Sequence, residues 1–310
     1  MTVTPLSAPL PQTPLWRRIF CGPQGLRAGW GLLLFLAIAQ GLVAAVGWIA
    51  ARLWTLPANP LLRPGLLIAF ETVMLATTLA ATAILARVER RSFAAYGFPL
   101  RRVLGPRFAE GSLWGILSIS AVIGMMALAG GYSVAGLAVR GGEALRFGAL
   151  WLLGTLLASL YEELYFRGYP QHALTRGMGF WPAAVLISTV FGAIHYFEKP
   201  METWVDFASV SLIGLFFCFT LRRTGDLAFA IGWHFAYNFG SLFLYGGPNT
   251  GNLGRPMPGH LLDSAFHGPD WLTGGPMGPE ASIFIFPVVA LLFWAFHRRY
   301  REARYPAERG

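Results

Sequence analysis

The chain has 310 residues, 55% of them hydrophobic and only 13% charged, with a mean hydropathy of +0.52. Such a composition excludes an ordinary soluble domain, in which charged residues make up about a quarter of the chain. The net charge of +9 and pI near 10.1 are accounted for by anionic lipid at one membrane surface, at about 1 kcal/mol per well-placed arginine, and do not require nucleic acid.

The stretch through Pro14 is rich in proline and lacks the basic region, short apolar core and cleavage pattern of a signal peptide. Residues 1–28 read as a disordered cytosolic arm. Hydrophobic runs able to span about 30 Å at about 1.5 Å per residue follow at Gly29–Trp54, Leu66–Arg87, Gly111–Gly131, Phe147–Thr175, Phe180–Tyr196, Trp204–Leu221, Asp226–Tyr245 and Ser282–His297. The expected fold is all-α: a polytopic membrane protein of about eight transmembrane helices, forming one domain over 29–300, with a basic cytosolic tail at 301–310.

Two polar stretches interrupt the runs. Glu89–Arg107 is basic and carries Tyr96-Gly97-Phe98-Pro99, which predicts a turn and a short amphipathic piece at the cytoplasmic surface. Gly246–Glu280 is a long external loop rich in glycine and proline. Its Leu261, Phe266, Trp271 and Leu272 predict packing over the external mouth.

With both termini cytoplasmic, 18 of the 24 basic residues fall on the cytoplasmic side, which sets the expected orientation. Cys21 on the arm and Cys218 within a run leave no disulfide or cysteine-based metal site.

Ionisable side chains inside the runs carry the chemistry. Each costs roughly 2.5–3.5 kcal/mol near the bilayer centre unless it pairs or lines water. In Tyr161-Glu162-Glu163-Leu164-Tyr165-Phe166-Arg167, the i,i+4 spacing puts Glu163 and Arg167 on one helix face as a neutralising pair. Glu162 is turned about 100° away, toward a cavity, and is the candidate general base.

Phe191-Gly192-Ala193-Ile194-His195 has small or apolar residues up to its histidine, as where two helices meet around one polar group. In His234-Phe235-Ala236-Tyr237-Asn238 the imidazole and carboxamide share a face and can orient a carbonyl, a water or a metal. If the fourth run continues to Thr175, Glu162 lies roughly 20 Å, His195 roughly 22 Å and His234 roughly 12 Å from the inner ends at the helical rise, so the three levels meet only loosely. Glu71, in the second run, is assigned to helix packing, and Asp226 to the N-cap of the seventh helix.

Glu-Glu-x-x-x-Arg followed by Gly168, then Phe-x-x-x-His, then His-x-x-x-Asn, each on its own hydrophobic helix, resembles the three motifs of the CPBP family of intramembrane proteases. This family includes the type II CAAX prenyl proteases and bacterial, Abi-like homologues linked to bacteriocin processing and immunity. The match runs from about Trp151 to Asn238, within a motif core at 147–245.

The resemblance implies an endopeptidase of a bacterial-type cell membrane, acting on a peptide or membrane-protein substrate, prenylated or not. Glu162 would activate water with help from His195, His234 and Asn238 would stabilise the oxyanion, and Glu163 and Arg167 would hold the geometry. Metal dependence stays open: two histidines and a carboxylate could hold zinc, but no His-Glu-x-x-His helix is present.

Two other readings use the same residues. A proton-coupled transporter would need inverted repeats and broken helices, which the sequence does not display. A non-catalytic immunity or scaffold protein on the same fold would be expected to have lost one of the polar set, and all of it is present.

Overall fold

The computed structural model describes residues 14–22, 25–53, 64–198 and 201–305. Most of the expected disordered arm, Lys199 and the last five residues lie outside the described residues. The chain opens with a short helix, α1 (Leu15–Phe20), and a ribbon of β1 (Cys21–Gly22) against β2 (Gly25–Leu26). Long helices follow: α2 (Ala28–Leu53), α3 (Pro64–Glu89), α4 (Pro106–Leu128), α5 (Gly141–Arg167), α6 (Tyr169–Met178), α7 (Phe180–Glu198) and α8 (Trp204–Thr224).

The last part of the fold holds α9 (Ala228–Phe239), the single-turn α10 (Asp270–Thr273) and α11 (Ile285–Arg299). Among the described residues six helical spans are long and apolar enough to cross a membrane: α2, α3, α4, α5 together with α6, α7 and α8. The other two expected spans are shorter helices, 12 residues in α9 and 15 in α11. The protein is an integral membrane protein.

Local sequence explains the ends of these helices. Pro106 in the first turn of α4 has no N–H to leave unpaired there. Thr203 caps α8 by accepting from the Asp206 N–H at 3.4 Å, and Gly225, in the left-handed region at φ 85°, closes its other end. The N-cap of α9 is Leu227, one residue after the expected Asp226; Asp226 accepts from the Ala228 N–H at 3.2 Å and pairs with Arg107 across to α4, so it joins the two helices.

Two features depart from the sequence expectation. The fourth run does not continue to Thr175: α5 stops at Arg167 and the chain restarts as α6. A Cβ at Gly168 would overlap the Leu164 carbonyl oxygen, and Pro170 starts the new helix with its missing N–H. The seventh run loosens after Phe239 into a π-helical turn, Gly240–Leu244.

The expected cytoplasmic turn is a 3-10 turn, Phe93–Tyr96, ended by Gly97 at φ 74°. It is tied down by the buried Glu89 carboxylate, which accepts from Tyr96 (3.2 Å), Tyr169 (3.0 Å) and Arg176 (2.9 Å) and so joins the ends of α3 and α6.

The segment Gly246–Glu280, expected to be external, is folded. Strand β3 (Tyr132–Leu137) pairs antiparallel with β6 (Leu262–Phe266), with a register shift between Val134 and Gly136. A smaller ribbon joins β4 (Pro248–Asn249) to β5 (Arg255–Pro256). Leu272 is buried and Trp271 exposed.

An aromatic core joins α4, α8, α9 and α11 through Phe216, Phe229, Trp233 and Phe296. Helices α4 and α9 approach so closely that a Cβ on Gly111 or Gly115 would overlap the carbonyl oxygens of Phe229 and Trp233, and one on Gly232 that of Phe108. Gly115→Ala is therefore expected to lower stability by about 1–3 kcal/mol in thermal unfolding of the solubilised protein. Gly124→Ala, where a Cβ meets open space, should leave it unchanged or raised.

Candidate active site

Helix α5 carries adjacent carboxylates with different surroundings. Glu163 and Arg167 are fully buried and paired, Arg167 Nη1 donating to Glu163 Oε1 at 3.2 Å. The guanidinium lies 4.3 Å from the Phe191 ring centroid and within 6 Å of those of Phe166 and Phe217, so aromatic faces from α5, α7 and α8 enclose it. Small residues make room: a Cβ on Gly214 of α8 would reach Arg167 Nη2.

The same Glu163 oxygen also accepts from His234 Nδ1, at 3.1 Å, across to α9. That bond fixes the tautomer and the ring plane, and Phe217 stacks on the imidazole at 5.4 Å. Nε2 is left facing Glu162, 3.9 Å from Oε2. Glu162 is partly exposed and lines a cavity of about 100 Å³.

His195, Asn238, Tyr237 and Ser241 line the same cavity. On α7, His195 Nδ1–H donates to the Phe191 carbonyl at 2.9 Å, which in the neutral ring makes Nε2 an acceptor. On α9, residues 234, 237, 238 and 241 recur at one-turn spacing, and the π-helical turn after Phe239 carries Ser241 on that face.

Three helices thus bring Glu162, His195, His234 and Asn238 to one cavity, with Glu163 and Arg167 behind it. The break at Gly168 brings the depth of Glu162 close to that of His234, while His195 stays about 22 Å from the start of α7. Glu162 lies about five residues, or about 8 Å, from the end of α5 rather than roughly 20 Å from the end of a longer helix.

The sequence reading missed Asn249, Met277 and Glu280, which reach the cavity from the segment after α9, and it gave Tyr237 no role. The length and apolar content of that segment were the available signal. Glu71 is buried with one carboxylate oxygen lacking a hydrogen-bond partner, and it lies within electrostatic range of Glu162.

Among the described residues no group of three or more His, Cys, Asp or Glu side chains is placed to hold a metal ion. His234 donates Nδ1–H to Glu163 and His195 donates its own to a backbone carbonyl, which leaves both Nε2 atoms available, but with Glu162 they do not form a metal-holding group, and no step below is routed through a metal.

A bundle of apolar helices enclosing a polar cavity defines an intramembrane site. A family model described as type II CAAX prenyl endopeptidase, Rce1-like, matches residues 144–240, about a third of the chain, and this segment holds all six motif residues. No curated protein and no solved structure matches the chain. The chain carries an Rce1-like domain of the CPBP family of intramembrane proteases.

Removing Glu163 would leave both Arg167 and His234 without their buried partner. Glu163→Ala is expected to cost about 3–5 kcal/mol in unfolding. Adding Arg167→Met should recover much of that stability without restoring activity, because His234 stays unanchored; recovery of both would show that Glu163 does not position His234.

Proposed function

We propose that this protein is an intramembrane endopeptidase in which Glu162 activates the attacking water. The observation that carries the reading is the single cavity shared by Glu162, His195, His234 and Asn238, inside the segment that matches the family.

In the proposed reaction the Glu162 carboxylate removes a proton from water as the water oxygen bonds to the scissile carbonyl carbon. The carbonyl oxygen becomes an oxyanion and accepts from the Asn238 amide and, when His234 carries a proton on Nε2, from His234. Protonated Glu162 then returns its proton to the leaving nitrogen as the C–N bond breaks, giving a carboxylate and an amine. His195 helps to orient the water through Nε2. Glu163 and Arg167 do not touch the substrate; they are positioning residues.

Peptide substrates in the bilayer fit the family. Prenylation is its precedent, and prenylated and plain peptides are both to be tried. Both termini are proposed to be cytoplasmic, a topology supported by the 18 of 24 basic residues that it gathers on that side.

The test compares wild type with Glu162→Gln on fluorogenic peptides, prenylated and plain, with and without chelator. Cleavage should fall by about 10²–10⁴-fold in the variant with unfolding unchanged, and should survive the chelator. Wild-type turnover by Glu162→Gln would overturn the mechanism, and loss of wild-type cleavage in chelator would point to a metal.

A further inference from the structure

The C-terminal end of α11 gathers positive charge. Arg223, Arg298, Arg299, Arg301 and Arg304 line one open cavity of about 360 Å³, whose only carboxylate among the described residues is that of Glu302. Arg223 comes from the last turn of α8, Arg298 and Arg299 from the last turn of α11, and the other two from the segment that follows.

That segment is pinned rather than loose. The Arg222 carbonyl accepts from the N–H groups of Arg304 at 2.8 Å and Tyr305 at 3.2 Å, while the side chains of Arg222 and Arg223 donate to the Tyr305 and Arg301 carbonyls. The Tyr305 side chain is buried, with its hydroxyl 3.3 Å from His172 Nδ1. Arg223 also donates to His297 Nδ1 at 2.9 Å. The fold therefore holds five like charges around one space, where repulsion alone would spread them apart.

Only part of this charge is answered within the protein. Arg304 pairs with Glu302 at 3.3 Å, and Arg299 pairs through Nε with Glu110 of α4 at 3.4 Å. Arg298 lies over the Trp294 ring, 6.0 Å from its centroid. Among the described residues neither Arg298 nor Arg301 has a carboxylate within ion-pairing distance.

An apolar groove leads to the same place. It holds about 240 Å³ between α4 and α11 and is lined by Trp114, Leu117 and Ala121 from one helix and Val288, Leu291 and Ala295 from the other. Leu117 and Leu291 are exposed, as befits a face turned to acyl chains in an integral membrane protein. Ala295 lies one turn before Arg299 on α11, and Trp114 one turn after Glu110 on α4. The Glu110–Arg299 pair thus marks where the groove meets the basic cavity.

We infer that the groove and the cavity together bind one anionic phospholipid, with an acyl chain between α4 and α11 and the headgroup phosphate among the arginines. Planar guanidinium groups donate in pairs to phosphate oxygens, and basic pockets between helices at a membrane surface suit such headgroups. The groove adds apolar contact that a free phosphate cannot use. A choline headgroup brings a cation that the arginines oppose, so a zwitterionic lipid is disfavoured. This inference does not depend on the protease reading.

The test titrates the full chain in detergent with dioleoylphosphatidylglycerol, dioleoylphosphatidylcholine or glycerol phosphate, reading bound lipid by native mass spectrometry and stability by Tm. Wild type should bind phosphatidylglycerol about tenfold more tightly than phosphatidylcholine, and glycerol phosphate should leave Tm unchanged. Arg298→Gln combined with Arg301→Gln should cut the preference below about threefold. Arg101→Gln combined with Arg102→Gln removes the same charge from exposed positions outside the cavity and should keep it. Ala121→Phe, which fills the groove from an exposed position, should weaken phosphatidylglycerol binding about threefold or more.

Equal binding of the two lipids by wild type would overturn the site, and so would equal losses from the two arginine pairs, which would show general surface charge. Undiminished binding by Ala121→Phe would overturn the groove as the place of the chain. A Tm rise with glycerol phosphate as large as that with the lipid would mean a phosphate site and would overturn the lipid assignment.

Discussion

One buried carboxylate oxygen holds the site together. Glu163 Oε1 accepts from Arg167 on its own helix and from His234 on α9, so a single acceptor neutralises a fully buried guanidinium and aims an imidazole. An arginine away from water is tolerated only when paired and enclosed, and here the aromatic rings of α5, α7 and α8 supply the enclosure. Because Arg167 is paired with Glu163, its neighbour Glu162 is left to face the cavity. Adjacent residues on one helix thereby acquire separate tasks by a rotation of about 100°.

That arrangement depends on close approach elsewhere. Glycines on α4 let α9 lie against it backbone to backbone, which holds His234 and Asn238 at a fixed distance from α5. The break at Gly168 ends α5 just beyond Arg167, and the buried Glu89 cluster secures the helix that follows. The folded segment between α9 and α11 contributes Asn249, Met277 and Glu280 to the cavity wall, so a polar chamber is assembled within a mostly apolar bundle.

Much of this was legible in the sequence because charge is expensive in a bilayer. Glu162, Glu163, Arg167, His195, His234 and Asn238 stood out as polar groups in apolar runs, and the helical period placed Glu163 against Arg167. The second partner of Glu163 did not: no local spacing links positions 163 and 234. The end of α5 was hidden because apolar residues continue beyond it, although Pro170 two residues after Gly168 was a usable signal. Tyr237 was obscured for a different reason. An aromatic residue on a helix packs far more often than it binds, and only the missing partner of its buried hydroxyl sets it apart. Glu280 lies in a segment one of whose strands, β6, pairs with residues more than a hundred positions away, which local patterns do not encode.

The central claim is that water, activated by Glu162, attacks the peptide directly, with no covalent intermediate on the carboxylate. A single turnover in H₂¹⁸O with excess enzyme, followed by mass spectrometry of the new product carboxylate and of the peptide containing Glu162, tests it most directly. The account expects one ¹⁸O in the product carboxylate and none in Glu162; ¹⁸O in Glu162, or a product carboxylate holding an oxygen from the enzyme, would contradict it.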